Sequence, residues 1–112
     1  MTKTPESQLN PSLHLILLAL MAGDRHGYAI MQAVEGITHG ATRLGPATLY
    51  TNLKKLLDLG FIAEVAERPD PALDDERRRY YRITAQGRTV ADAETRRLEA
   101  IVRYARNIEV AL

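Results

Sequence analysis

The sequence predicts a mostly helical α+β fold, and three observations carry that prediction. Residues 45–60, GPATLYTNLKKLLDLG, have one apolar helical face, while the opposite face carries hydroxyls and amines with no acid until the last turn. Two alternating stretches follow, Phe61–Glu67 and Arg78–Thr84, separated by a polar loop containing proline, and alternation of this kind marks half-buried strands. Beyond Thr84, apolar residues recur at spacings of three and four to the end of the chain, the pattern of a long helix with a coiled-coil-like seam.

Residues 1–10 read as a polar lead-in. Asn10-Pro11-Ser12 offers capping chemistry for a helix from about Leu13 to Ala22, which is apolar all round and so belongs in the core. Gly23-Asp24 is a stop signal. A second helix is expected from about Gly27 to Ile37, with Ile30, Val34 and Ile37 on one stripe and Gly36 and Gly40 framing its end. The third helix opens at Gly45-Pro46, since proline tolerates the first helical position, and closes at Gly60. At about 100° per residue, Leu49, Leu53, Leu56 and Leu57 share one sector. Ala47, Thr48, Thr51, Lys54 and Lys55 point the other way, and Tyr50 sits on the boundary. Helix, strand, loop, strand after two further helices is the order of a winged helix-turn-helix domain with a two-stranded wing, expected over residues 1–84.

Thr84 caps the last helix, with Gly87 tolerated in its first turn. Leu98, Ile101, Ala105, Ile108 and Leu112 are spaced 3, 4, 3 and 4, and the series extends back to Glu94 and Ala91. About 25 residues would reach roughly 38 Å, more than a winged helix needs to complete itself. Such a stripe could pack back on its own domain, as a shorter helix would; at this length residues 85–112 are expected to form a dimerisation helix, with those five apolar residues at the interface of a homodimer.

Composition bounds the rest. With 112 residues and 46% hydrophobic content, the chain supports one domain with a core, plus an appendage. The absence of cysteine excludes disulfides, thiolate metal sites and cysteine nucleophiles. The longest apolar run, Leu15 to Ala22, falls far short of the roughly 20 residues that span a bilayer. Residues 1–12 lack a signal peptide's basic start and apolar stretch, so a cytoplasmic protein with no membrane partner is expected. His14, His26 and His39 lie on or beside different helices, none paired at i, i+4 as a helical zinc site requires. Ser7 and Ser12 lie outside any nucleophile elbow. Asp70, Asp74, Asp75 and Glu76 lack the spacing and central glycine of a calcium loop. No catalytic constellation assembles, and no cofactor or metal is expected.

The net charge of +1 matters less than its distribution. Ala41 to Lys55 carries three bases and no acids, Arg77 to Arg82 four bases and no acids, and Glu64 to Glu76 six acids and one base. Positive charge in the two elements that would approach a duplex points to double-stranded DNA as partner. Thr48, Tyr50 and Thr51, near the start of the third helix, suit base edges, whereas Lys54, Lys55 and Arg78 suit phosphate. The acidic loop would be repelled by phosphate. Its tip is therefore expected to splay aside while Arg77, Arg78 and Arg79 make the wing's contacts, or its carboxylates pair with those arginines in the free protein. The competing reading is a winged-helix protein-interaction module that has lost its basic face; Lys54, Lys55 and the arginine run favour DNA.

His26-Gly-Tyr-Ala-Ile30, Ala47-Thr-Leu-Tyr-Thr-Asn-Leu-Lys-Lys-Leu56, Gly60-Phe-Ile62 and Arg79-Tyr-Tyr-Arg-Ile-Thr84 with Gly87 together resemble the PadR family of bacterial transcriptional regulators, in register over about residues 12–105. The resemblance implies a winged helix-turn-helix, a dimer made through the C-terminal helix and, usually, repression of a nearby operon. Carried over by position, Thr48, Tyr50 and Lys54 fall on the family's DNA-facing helix, Tyr28 on its second-helix tyrosine near phosphate, and Arg79 and Tyr80 on the wing's return strand. A two-fold dimer in turn implies an inverted-repeat operator. Some relatives respond to phenolic acids or hydrophobic drugs that enter the dimer interface, so release by a small-molecule effector is implied. The C-terminal helix is short and has no tryptophan, which places the chain with the shorter subclass.

Overall fold

Local signals set most helix ends. In the computed structural model of the chain, which describes residues 9–65 and 79–111 and the side chains of the last helix as far as Ile108, helix α1 spans Pro11–Met21. Asn10 Oδ1 accepts the Leu13 amide at 2.9 Å, satisfying one of the amides a helix start leaves unpaired. Leu13, Ile16, Leu17 and Leu20 are buried, as its composition predicted.

A strand that the sequence did not announce follows. Strand β1 is only Arg25–His26, too short for alternation to show. Helix α2 spans Gly27–Ile37, and His26 caps it through Nδ1, which accepts the Ala29 amide at 3.2 Å. Ile30 and Val34 are buried, but Ile37 is exposed, because the final turn of α2 runs past the core.

Helix α3 is Pro46–Leu59, with Gly45 at its N-cap and Gly60 in the left-handed region at φ +82°, its amide turned back to the Leu56 and Leu57 carbonyls. That is the glycine stop a helix end favours. Leu49, Leu53 and Leu56 are 0–1% exposed. Leu57, grouped with them by sequence, is 37% exposed. It lies about 100° around the helix from Leu56, at the edge of the sector where the core ends.

Strands β2 (Ile62–Val65) and β3 (Tyr80–Ile83) form the antiparallel hairpin, pairing Ile62 with Ile83 and Val65 with Tyr80. β1 adds to the other side of β3, so the sheet has three strands in the order β1-β3-β2. Ile62, Tyr81 and Ile83 close the core beneath it. Asp70 to Glu76, Arg77, Arg78 and Leu112 lie outside the described residues.

Helix α4 spans Ala85–Ala111, 27 residues. Thr84 Oγ1 accepts the Gly87 amide at 3.0 Å and donates to the Gly60 carbonyl at 2.8 Å, joining the end of α3 to the start of α4. Gly87 is required here, since an added Cβ would collide with the Phe61 carbonyl oxygen and come within 2.8 Å of Ile83 Cγ1. Val90, Ala91 and Glu94 pack inward, whereas every residue from Arg96 to Ile108 is exposed. The helix thus leaves the domain and contributes to a long axis of 59 Å. No helix among the described residues is long and apolar enough to cross a membrane.

Candidate nucleic-acid interface

With its leucines committed to the core, α3 turns Ala47, Thr48, Tyr50, Thr51, Lys54 and Lys55 to solvent. Tyr28, in the first turn of α2, is 62% exposed. The two helices meet closely where a Cβ on Gly27 would lie 2.5 Å from the Tyr50 hydroxyl and 3.1 Å from its Cζ. The Tyr50 ring therefore lies across the start of α2.

The base of the wing joins this region through Tyr81. Burial pushes the Tyr81 phenol above its ordinary value, and Glu64 and Tyr50 push the same way while Arg79 opposes them. One residue from α3 and two from the hairpin thus lie close enough to act electrostatically on one buried phenol. Arg79 is exposed and pairs with Glu64 across the hairpin at 3.2 Å. Tyr80, assigned by sequence to the DNA side, is half-buried and presents its ring edge-on to His26, with centroids 5.5 Å apart. Its observed packing therefore ties the hairpin to the cap of α2.

Several cations already have local partners. Lys54 reaches Asp58 at 3.5 Å and Arg43 reaches Glu35 at 3.2 Å. Arg82 grips Asp24 with contacts of 2.8–3.2 Å, which hold the Asp24 carboxyl below its ordinary range. Lys55 has no ion pair among the described residues. Single exposed pairs such as Lys54–Asp58 and Arg43–Glu35 contribute little net free energy, so they are readily exchanged for a phosphate. The sequence showed the cations but could not show the Arg82–Asp24 pairing, because those two residues are 58 positions apart.

A second surface lies on α4. Leu98, Ile101 and Ile108 are 39–51% exposed, and Ala105 is exposed beside them. Val102 and Tyr104 are also exposed, at 50% and 69%; the 3, 4 spacing passed over them. A groove of about 670 Å³ runs between α1 and α4, lined by His14, Leu18, Leu98, Val102, Arg103 and Arg106 among others. His14 is buried at one wall, with Nε2 3.0 Å from Thr95 Oγ1. Burial lowers its pKa below the ordinary 6.5, and the Arg97 charge adds to this, against the opposing pull of Glu94 and a backbone contact at Ala91. Glu94, to which the sequence extended the seam, is 5% exposed and gripped by Arg97 at 2.7 and 2.9 Å, which keeps its carboxyl below the usual range. No group of three or more metal-ligating side chains occurs among the described residues.

Residues 16–93 match the transcriptional regulator PadR-like family. A 37.1 kDa protein of transposon TN4556 from Streptomyces fradiae is 34% identical over 85 residues, 76% of this chain, and the chain spans 22% of that relative's length. A transcriptional regulator from Clostridium thermocellum has a similar structure, with a TM-score of 0.69 at 25% identity over 85% of this chain and 89% of that one. The fold is shared as well with a PadR family transcription regulator from hypervirulent Clostridium difficile, at a TM-score of 0.66 and 18% identity over 86% of this chain and 95% of that one.

Proposed function

The chain belongs to the PadR-like family of transcriptional regulators, and we propose that it acts as a homodimeric, sequence-specific repressor on double-stranded DNA. The observation that carries this reading is the outward face of α3, polar and basic, set beside the wing base through Tyr81. In the major groove, Ala47, Thr48 and Thr51 near the start of α3 meet base edges, where a recognition helix reads. Lys54, Lys55, Arg78 and Arg79 meet phosphates on either side, with Tyr28 beside them. Phosphate contacts supply affinity and base contacts supply choice. The internal pairing of Arg43, Lys54 and Arg79 is what favours the alternative, a protein-interaction module.

Leu98, Ile101, Ala105, Ile108 and Leu112, extended by Val102 and Tyr104, form the proposed dimer seam. Two reading helices related by a two-fold axis enter successive major grooves about 34 Å apart, so the operator is an inverted repeat. The α1–α4 groove, with apolar walls and Arg103 and Arg106, suits a small hydrophobic or phenolic effector. An effector held there would change how the two reading helices are spaced.

Binding of the full chain to the DNA upstream of its own coding sequence tests the reading. Affinity should fall steeply with salt, footprinting should show two symmetric half-sites, and Lys55→Gln should weaken all sequences while lowering the salt slope by about one counterion. Binding that ignores salt, or no binding at all, would favour the protein-interaction module.

A further inference from the structure

Gly27 is the first residue of α2, a place where the backbone asks for no glycine, and its φ is not in the positive range found at Gly23, Gly40 and Gly60. What excludes a larger residue is space. A Cβ there would lie 2.5 Å from the Tyr50 hydroxyl, 3.1 Å from Tyr50 Cζ and 3.3 Å from Leu49 Cδ2. At Gly87 the obstruction is backbone in the core; at Gly27 it is the polar end of a side chain that is 42% exposed. A helical tyrosine has two favoured χ1 positions and a stiff ring, so filling the notch displaces the hydroxyl.

Resting on the DNA-binding reading above, we propose that Gly27 is a positioning residue for DNA contact: its missing side chain seats Tyr50 across the start of α2 and delivers the Tyr50 hydroxyl to the sugar-phosphate backbone. Among the described residues that hydroxyl has no hydrogen-bond partner, so its proton is available to an acceptor on the nucleic acid. The helix preceding a recognition helix crosses the backbone, and the exposed Tyr50 side chain carries its hydroxyl against the start of that helix. Tyr50 is thus an anchor of the duplex strand, in place of the base reader its sequence position implied.

The test is a double-mutant cycle on the full chain, with affinities for upstream DNA and for random duplex and with thermal melts of each variant. Gly27→Ala and Tyr50→Phe should each lose roughly tenfold affinity, equally on both DNAs. Combining them should cost no more than either alone, because both remove the same hydroxyl contact. The Tyr50 ring resonances should move in free Gly27→Ala and melting should stay near wild type. Additive losses would make Gly27 merely structural and overturn the proposal, as would a loss confined to upstream DNA or a Gly27→Ala protein that binds like wild type. In those cases wild-type binding persists and the DNA reading stands; failure of the wild type to bind either DNA would bring down both. Should Gly27→Ala melt early, Tyr50→Phe alone decides, since unchanged affinity would remove the contact Gly27 is said to position.

Discussion

Helix α3 and the outer half of α4 use the same apolar spacing and arrive at opposite surfaces. In α3 the leucines at 49, 53 and 56 are 0–1% exposed, and the face opposite them is mostly hydroxyls and amines. In α4 the corresponding row lies over its own domain only as far as Glu94, and Leu98, Ile101 and Ile108 then stand in solvent. Periodicity tells which residues share a face; it does not tell what covers that face. Length does: α3 is stopped by Gly60 after 14 residues, while α4 runs for 27 and outgrows the sheet and helices beneath it. One helix thus presents charge and hydroxyls to solvent, the other hydrocarbon.

The strongest way to break this contrast is to charge the outer row. Burying Ile101 against a second copy contributes about 1.5–3 kcal/mol per side chain. Ile101→Asp on both protomers should therefore weaken association by a hundredfold or more, read by sedimentation across concentration. A wild type that sediments as a monomer at micromolar concentration would remove the proposed seam and leave the outer row unexplained.

On the inner row the cost should appear as stability. Leu53→Ala opens a cavity under α3 and should lose about 2–5 kcal/mol of folding free energy, read by denaturant or thermal melts at a concentration that keeps the oligomeric state fixed. Tyr104→Ala, in solvent on α4, should leave the stability of the isolated protomer within about 0.5 kcal/mol. Similar losses from both would show that the two rows are not different in kind.

The smallest effect is a pH dependence at the boundary, where α4 stops being covered. His14 has its folded-state pKa lowered, mainly by burial, so the unfolded chain takes up the proton first. Its contribution is complete above the ordinary value near 6.5 and is lost as pH falls from there toward the lower folded value. The depressed carboxyls of Glu94 and Asp24 contribute above their ordinary range and lose that contribution only at lower pH, as each folded value is passed. His14→Gln should flatten the first descent and leave the second. An unchanged profile between pH 5 and 7, an interval set by the ordinary histidine value, would detach His14 from this boundary.

Much of this was legible because the signals were local. Asn10 and Thr84 lie next to the helices they cap, Gly45-Pro46 and Gly60 bracket α3, and the outward face of α3 follows from the positions of its leucines. What stayed hidden depends on residues distant in the chain. β1 exists only because Arg25 and His26 find β3, pairing with Tyr81 and Tyr80. Gly87 read as a tolerated helix residue until the Phe61 carbonyl was seen against it. Glu94 read as a backward extension of the seam, yet it sits near His14 of α1 under the grip of Arg97. Ile37 and Leu57 kept the helical period but fell where the core had ended.

One hydroxyl deserves a mechanical reading. Thr84 holds the last residue of the α3 turn and the first turn of α4 through a single oxygen atom, with Gly87 letting the two chain segments close to contact. This joint roots the long helix directly in the end of α3, the proposed reading helix, as an arm is rooted in its pivot. Along an arm of about 40 Å, a tilt of a few degrees at the root moves the far end by roughly 2–3 Å. The converse holds too: in the proposed dimer, a small shift where two arms meet is felt at the roots as a rotation of both reading heads, and the pitch between them becomes the quantity that an operator measures.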